Sequence, residues 1–529
     1  MGRLVGTTAQ YSFLSGTTFT NAYSYDAASN RTGYTAPDSS TNTYSYDTLN
    51  RLTTLANSWA GSFGFSYDAL SHRTQMTRPN SVTTNYTYDN LSRLLSVLHQ
   101  LSGSTIDGAV YTLDSAGNRT AKTDKYANAT SNYTYDAIYE LTQVTQGSTT
   151  TESYSYDPVG NRTASLGVSS YTNNSSNEMT ATSNASYTYD NNGNTLTKVV
   201  GSNTTSYTWD YENRLTSVTL PGSGGTVSFK YDPFGRRIYK SSSASTSIYA
   251  YDGDNLIEET NVSGTVIARY SQNANVMDEP LAMLRGGTTS YYDADGLSSI
   301  TSLSNGTGSL VQTYGYDSFG KQTSSSGSLT NPFQYTAREF DAETSLYSYR
   351  ARYYDQTLGR FLSEDPIGFS NDTYNLYNYV SGDPVDFNDP SGNKKIHGNW
   401  CGPNWTGGQV ETYIPSNDKD GYYKDPRDYV DKVCSFHDKC YAKCRDKHPC
   451  SPLGRSLCSR KCDFFLVGRL VGNPKDAVSP VAYLIGAGIA LNLVPLPGPN
   501  GGAEPYNNPS GGGGAKCCSQ PPPAGAGSR

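Results

Sequence analysis

The sequence predicts a multidomain protein in which a long all-β repeat strip precedes a small, mainly α-helical domain stapled by disulfides. The chain has 529 residues, more than one ordinary core holds, and only 16% of them are charged. Its 45 tyrosines and 12% aromatic content favour strands over helices. All nine cysteines lie between Cys401 and Cys518, which is typical of a short domain from an oxidising compartment.

A Tyr-x-Tyr-Asp unit recurs through the cysteine-free body. Its aspartates Asp26, Asp47, Asp68 and Asp89 are 21 residues apart. Each unit alternates aromatic and small polar residues and then reaches a turn rich in Gly, Pro, Asn and Asp. This pattern predicts one hairpin per repeat, stacked on its neighbours. An ordinary open sheet or a β-helix would give the same periodicity.

These units resemble the YD repeats of the Rhs and teneurin-type proteins. The resemblance covers roughly residues 20–392. It implies a β-sheet strip that winds into a hollow shell. On this basis we assign residues 1–337 to the YD-repeat shell, 338–393 to a core segment that plugs it, and 394–529 to a separate C-terminal domain.

The plug segment contains two Asp-Pro-x-Gly sequences, which begin at Asp365 and Asp389, with another Asp-Pro pair at Asp383. It resembles the Rhs core motif, an aspartyl autoprotease that frees a caged C-terminal toxin. The resemblance implies that Asp365 and Asp389 share a proton and activate water, with Asp383 in reserve. Cleavage is then expected directly after Asn393, where the family usually has Leu. The alternative is that the Asp-Pro pairs only form turns.

The tail carries a second set of motifs. A helix is predicted from Asp428 to Asp446, on which the neighbouring His437 and Asp438 point about 100° apart. A second helix, over about 452–472, contains Asp463. The cysteines fit two antiparallel helices and one loop tie, although connectivity does not follow from sequence. The expected pairs are Cys440 with Cys462, Cys444 with Cys458, and Cys401 with Cys434.

Residues 399–470 resemble the phospholipase A2 family, through Cys434-Ser-Phe-His437-Asp438-Lys-Cys440-Tyr441 and the upstream Trp400-Cys401-Gly402-Pro403-Asn404. The resemblance implies that His437 is the general base and that Asp463 fixes its tautomer. It also implies a Ca²⁺ site that stabilises the oxyanion of the reaction. Its ligands would be the Asp438 carboxylate and the carbonyls of Trp400, Gly402 and Asn404. The family normally has Gly at the last of these positions.

Charge is unevenly distributed along the chain. Residues 394–529 hold 17 Lys and Arg against 11 Asp and Glu, a net of +6, which leaves −13 for residues 1–393. A basic tail suits an anionic lipid surface. The apolar stretch 482–491 is either a core helix or an element that meets lipid.

Together these features predict an Rhs-type secreted toxin, made in the bacterial cytoplasm, that cleaves itself and hydrolyses glycerophospholipids with calcium. The expected partners are the phospholipid membrane of a target cell, a cognate immunity protein, and a secretion spike or adaptor reached through an N-terminal region absent from this chain. No nucleic-acid partner is expected. By resemblance, delivery is by a contact-dependent machine such as type VI secretion, and the toxin acts at the target membrane or periplasm in interbacterial competition. The competing hypotheses are a non-enzymatic YD-repeat adhesion protein with a disulfide-stapled binding domain, and a zinc-binding tail.

Overall fold

The computed structural model describes residues 3–371 and 375–393. The chain divides into two compact units, Met1–Gly402 and Pro403–Arg529, and every described residue belongs to the first. The described part is all-β apart from three short 3-10 turns, at Tyr335–Ala337, Gly368–Asn371 and Val380–Gly382. None of its helices is long and apolar enough to span a membrane.

The strands form three antiparallel sheets in which neighbours in sequence are neighbours in space. The first sheet consists of β1 (Gly6–Gln10), β2 (Thr18–Tyr25), β3 (Arg31–Thr35), β4 (Thr41–Tyr46), β5 (Leu52–Asn57), β6 (Gly61–Tyr67), β7 (Arg73–Thr77), β8 (Val82–Tyr88), β9 (Leu94–Leu101), β10 (Ser104–Leu113), β11 (Arg119–Asp124), β12 (Ala129–Tyr135), β13 (Leu141–Gln146), β14 (Thr149–Tyr156) and β15 (Arg162–Ser165).

The second sheet continues the same meander. It consists of β16 (Tyr171–Asn173), β17 (Met179–Thr182), β18 (Ser186–Tyr189), β19 (Thr195–Val200), β20 (Asn203–Trp209), β21 (Leu215–Thr219), β22 (Thr226–Tyr231), β23 (Arg237–Ser241), β24 (Thr246–Asp252), β25 (Asn255–Thr260), β26 (Val266–Gln272), β27 (Pro280–Arg285), β28 (Thr288–Ala294), β29 (Ile300–Ser304), β30 (Leu310–Tyr316) and β31 (Gln322–Ser326). A small third sheet, called the plug sheet here, consists of β32 (Glu339–Asp341), β33 (Leu346–Tyr349), β34 (Arg352–Asp355) and β35 (Arg360–Phe361).

The repeat aspartate closes the turn of each hairpin. In the β4–β5 turn, Asp47 Oδ1 accepts the backbone N–H groups of Leu49 and Arg51, each at 2.9 Å. Its Oδ2 accepts the Arg51 Nε–H at 2.7 Å. Asn50, between them, has φ +60°, a conformation that Asn tolerates. The predicted hairpin-per-repeat organisation is confirmed, and the Asp and Asn-Arg positions of the unit are explained by this turn.

In most units the second tyrosine bonds one hairpin to the previous one. The Tyr67 hydroxyl donates to the carbonyl of Leu52 at 2.9 Å, and the Tyr88 hydroxyl to that of Arg73 at 3.0 Å. These two rings therefore pack in the sheet while their hydroxyls find acceptors, as expected for half-buried tyrosine; the buried hydroxyl of Tyr156 is an exception.

The first and second sheets share a hydrophobic core. Phe63 of the first sheet and Tyr291 of the second have ring centroids 6.1 Å apart. Polar contacts also cross between the sheets, since the Tyr11 hydroxyl donates to the Tyr249 carbonyl at 3.0 Å.

The plug sheet packs against strands of both large sheets. Its aromatic residues Tyr347, Tyr349 and Tyr354 are fully buried, in a cluster that includes Leu141 of the first sheet. Tyr353 packs against Phe229 of the second sheet, with ring centroids 5.3 Å apart and ring planes tilted by 40°. The plug sheet is thus held rigidly, and it presents its β33–β34 turn to the end of the described chain.

Candidate functional site

Both Asp-Pro-x-Gly sequences form turns in the structure. The Asp365 carbonyl accepts the Gly368 N–H at 2.9 Å, and its carboxylate accepts the Ile367 N–H at 2.9 Å. The Asp389 carbonyl accepts the Gly392 N–H at 3.3 Å. Both Asp-Pro pairs therefore form turns, and these turns also direct the two carboxylates to a common partner.

That partner is Arg352, the first residue of β34. Its Nη2 lies 3.2 Å from Asp365 Oδ2 and 3.5 Å from Asp389 Oδ2. Its guanidinium is stacked 3.6 Å from the centroid of the Phe361 ring, and its Nη1 donates to the Leu376 carbonyl at 2.8 Å. The two predicted aspartates, 24 positions apart in sequence, are thus brought together by one buried cation.

The chain just before the predicted cleavage point is held at this site. Arg352 Nε donates to the Gly392 carbonyl, and the Asn393 N–H donates to Asp389 Oδ1 at 3.1 Å. Gly392 has φ +74°, and a Cβ at this position would lie 2.1 Å from the Tyr349 carbonyl oxygen. Only glycine fits there. Because its carbonyl is bonded to Arg352 and its N–H to Asp389, the Gly392–Asn393 peptide lies between the guanidinium and the Asp389 carboxylate.

A second buried carboxylate anchors the turn that carries Arg352. Asp278, in the β26–β27 loop, accepts hydrogen bonds from Arg338 Nη1 and Arg350 Nη2, both at 2.7 Å. Arg350 Nη1 also donates to the Pro390 carbonyl. The second sheet therefore fixes the plug sheet and the Asp389 turn relative to each other.

The surroundings of Asp365 favour its protonated form. Burial raises the pKa of Asp365, the negative charge of Asp389 raises it further, and Arg352 opposes both effects. Burial lowers the pKa of Arg352 itself. A carboxyl that keeps its proton beside a carboxylate can protonate a peptide carbonyl while its partner takes a proton from water.

Asp383 lies in the neighbouring turn, after the Val380–Gly382 3-10 turn. Its side chain accepts the Asp386 N–H at 3.3 Å. Burial raises the pKa of Tyr135, and the negative charges of Asp386 and Asp383 raise it further. It is buried to the same extent as Asp389, at 2% exposure each. The structure therefore brings Asp365 and Asp389 to Arg352 and gives Asp383 a different set of neighbours.

The phospholipase-like site lies outside the described residues. This holds for the predicted catalytic pair, the calcium ligands and the disulfide candidates, which therefore stay predictions. They are His437, Asp463, Trp400, Gly402, Asn404, Asp438, Cys401, Cys434, Cys440, Cys462, Cys444 and Cys458.

Sequence reasoning missed Arg352 and Asp278. Arg352 lies in the Arg-Ala-Arg-Tyr-Tyr-Asp stretch of the core motif, and an arginine among aromatics that also precedes two aspartates was an available signal. Asp278 lies in a loop without a repeat pattern and more than 70 positions before its Arg350 partner, so no local signal could have found it.

A YD-repeat strip closed by an internal plug defines the class of this fold. The family model described as Teneurin YD-shell matches residues 118–385, about half of the chain. The chain therefore belongs to the Teneurin YD-shell family.

Two kinds of curated relatives match part of this chain. The chain is 31% identical over 303 residues to the tRNA3(Ser)-specific nuclease WapA of Bacillus spizizenii, covering 54% of this chain and 11% of that protein. It is 29% identical over 153 residues to the double-stranded DNA deaminase toxin A of Burkholderia cenocepacia, covering 26% of this chain and 11% of that protein. The chain thus spans about a tenth of the length of these curated relatives.

Among solved structures, the Photorhabdus luminescens Tc holotoxin pore matches with a TM-score of 0.60 at 19% identity, over 72% of this chain and 21% of that one. The crystal structure of TcdB2-TccC3 without the hypervariable C-terminal region matches with a TM-score of 0.57 at 19% identity, over 72% of this chain and 22% of that one. At this identity the match shows the shared fold.

Proposed function

We propose that the described region is a self-cleaving shell that releases the segment after Asn393. The observation that supports this most is the shared guanidinium. Arg352 holds Asp365 and Asp389 together and also binds the carbonyl of the peptide that precedes the cleavage point. A positioned carboxylate pair and a preoriented backbone are the two requirements of water-mediated peptide cleavage by aspartates.

Replacing either aspartate by its amide tests this proposal. Asp389→Asn and Asp365→Asn should each leave the chain at full length, whereas wild type yields a fragment beginning at Lys394. Asp383→Asn is the matched control, because Asp383 is equally buried and lies outside the Arg352 contacts; it should cleave normally. The masses of the purified chains give the answer, and an Asp365→Asn chain that cleaves as wild type does would refute the proposal.

We further propose that the released segment is a toxin that hydrolyses glycerophospholipids in a calcium-dependent reaction. The support is the His437-Asp438 motif with its glycine-rich loop and Asp463, together with the basic charge of residues 394–529. Relatives named for nuclease and deaminase toxin activity match 54% and 26% of this chain. A secreted toxin in which a YD shell precedes an effector segment is consistent with these names. The immunity protein, the spike or adaptor partner and delivery to a target-cell membrane or periplasm belong to the same proposal.

Fatty-acid release from mixed phospholipid vesicles tests the lipid proposal. The oxidised full-length protein should release fatty acid with calcium and none with chelator. His437→Gln should abolish release, because the general base is lost, whereas His448→Gln, a histidine outside the motif, should retain it. Full toxicity of His437→Gln would overturn the enzymatic proposal in favour of a binding domain. Degradation of tRNA or deamination of DNA by the chain would show that its substrate is a nucleic acid and not a glycerophospholipid.

A further inference from the structure

Two arginines, the half-buried Arg162 and the buried Arg360, differ from all others in the described residues. Every arginine there lies within 4.0 Å of a carboxylate oxygen, except Arg3, Arg162 and Arg360. Arg3 is exposed and donates to a backbone carbonyl. The other two are enclosed at the contact between the β14–β15 turn and the plug sheet. A buried charge without a counter-charge is strongly unfavourable, so these two positions need an explanation.

Arg162 is surrounded by aromatic rings. Its guanidinium carbon lies 3.8 Å from the centroid of Phe319 and 4.5 Å from that of Tyr154. Its Nη2 is buried and has no hydrogen-bond partner. Contact with ring faces offsets only part of the cost of burying a cation, and it leaves that N–H unsatisfied.

Arg360 is bonded only to neutral groups. Its Nη1 donates to Asn173 Oδ1 at 3.2 Å, and its Nη2 donates to the Asn177 carbonyl at 2.7 Å. Its Nε is buried without a partner. Burial lowers the pKa of Arg360, and the positive charge of nearby Arg162 lowers it further. The two guanidinium groups therefore repel each other, and no carboxylate oxygen in the described part of the chain lies within 4.0 Å of either. Glu152 and Asp317 interact with Arg162 from beyond that distance.

Both arginines line one cleft, whose other walls include Tyr156, Asn375 and Asn378. We propose that this cleft binds a small monovalent anion, such as a halide, between Arg162 and Arg360. The ion would neutralise the two like charges and accept hydrogen bonds from Arg162 Nη2 and Arg360 Nε.

The position of the cleft gives the ion a structural role. Asn375 and Asn378, which line it, flank Leu376, whose carbonyl accepts the Asp365 N–H at 3.0 Å and Arg352 Nη1 at 2.8 Å. The Asn375 amide also donates to Asn161 Oδ1 at 2.7 Å in the β14–β15 turn. A bound anion therefore joins a shell turn to the segment that supports the aspartate pair, whether or not that pair cleaves the chain.

Bromide is the probe for this site. Crystals of the full chain grown with bromide in place of chloride should show an anomalous peak between Arg162 and Arg360. In solution, replacing sodium gluconate by sodium bromide at constant ionic strength should raise the Tm by roughly 1–3 °C, because a ligand of the folded state stabilises it by mass action. Gluconate is the reference because its bulk excludes it from the cleft.

Arg360→Gln should lose both the peak and the Tm response, because one of the two charges is removed. Arg214→Gln is the matched control, since Arg214 already pairs with Asp210 and Glu212, and it should keep both. Absence of the peak in wild type overturns the proposal. Peaks of equal height at surface arginines without a Tm response mean an adventitious ion only, and also overturn it. If Arg360→Gln does not fold, the wild-type peak and Tm response decide by themselves.

Discussion

Gly392→Ala should separate self-cleavage from folding. The residue has φ +74°, and the added Cβ would lie 2.1 Å from the Tyr349 carbonyl oxygen, where contacts under 3.0 Å are essentially never seen. The chain at Gly392 must therefore move by about 1 Å, which displaces the Asn393 N–H from Asp389, now 3.1 Å away. A misplacement of about 1 Å at a reacting group reduces the rate by about 100-fold.

The assay is a time course of the intact and cleaved chains after purification, read by mass spectrometry. Gly368→Ala is the matched control, because Gly368 ends the first Asp-Pro-x-Gly turn with φ +68° and nothing in the described residues lies within 4 Å of its added Cβ. Both variants bear the strain of a left-handed alanine, about 1–2 kcal/mol, and only the first has the clash. Cleavage of Gly392→Ala at the wild-type rate, or equal slowing of the two variants with matched melting curves, would refute the reasoning.

Two further predictions concern stability. Burial raises the pKa of Glu258 from its ordinary value of 4.5, taken for the unfolded chain, to about 7 in the folded protein. The neutral carboxyl therefore favours folding at low pH, and this contribution to stability is lost as the pH rises from 4.5 through 7. As pH rises from about 4 to about 8, the free energy of unfolding of Glu258→Gln should therefore increase relative to that of wild type by up to roughly 3 kcal/mol. The exposed Glu212→Gln should show no such increase. Parallel curves of unfolding free energy against pH for Glu258→Gln and wild type, measured by urea titration, would disprove the prediction. Arg237 pairs with the buried carboxylates of Glu339 and Asp341. Arg237→Met removes the ion pair of Glu339 and leaves Asp341 with Lys240, so it should lower the free energy of unfolding by about 3–5 kcal/mol. A loss below about 1 kcal/mol by chemical denaturation would contradict this prediction.

Local rules were sufficient to predict the repeat architecture. The 21-residue period, the tyrosine alternation and the Asp and Asn-Arg turn positions are set by contacts within one hairpin and its neighbour, which recur wherever the pattern does. The same holds for the two Asp-Pro-x-Gly turns, whose hydrogen bonds lie within five residues of Asp365 and Asp389.

The site around Arg352 depends on contacts distant in sequence. Its place in the core motif could mark Arg352 as a candidate, but its contact with both aspartates follows from the packing of the β33–β34 turn against the returning chain. Asp278, which anchors that turn, comes from a loop of the second sheet. Such partners depend on how the repeat strip packs against the plug sheet, and no local sequence pattern predicts that packing.

The sequence by itself determined the all-β repeat strip, the position of the plug segment and the two aspartates, because these depend on residues close together in the chain. Only the tertiary structure decided which charges are paired. It gave Arg352 two carboxylates and left Arg162 and Arg360 with none among the described residues. Charge pairing inside a protein is set by which side chains are buried together, and burial here is decided by sheets that meet across more than 100 residues of chain.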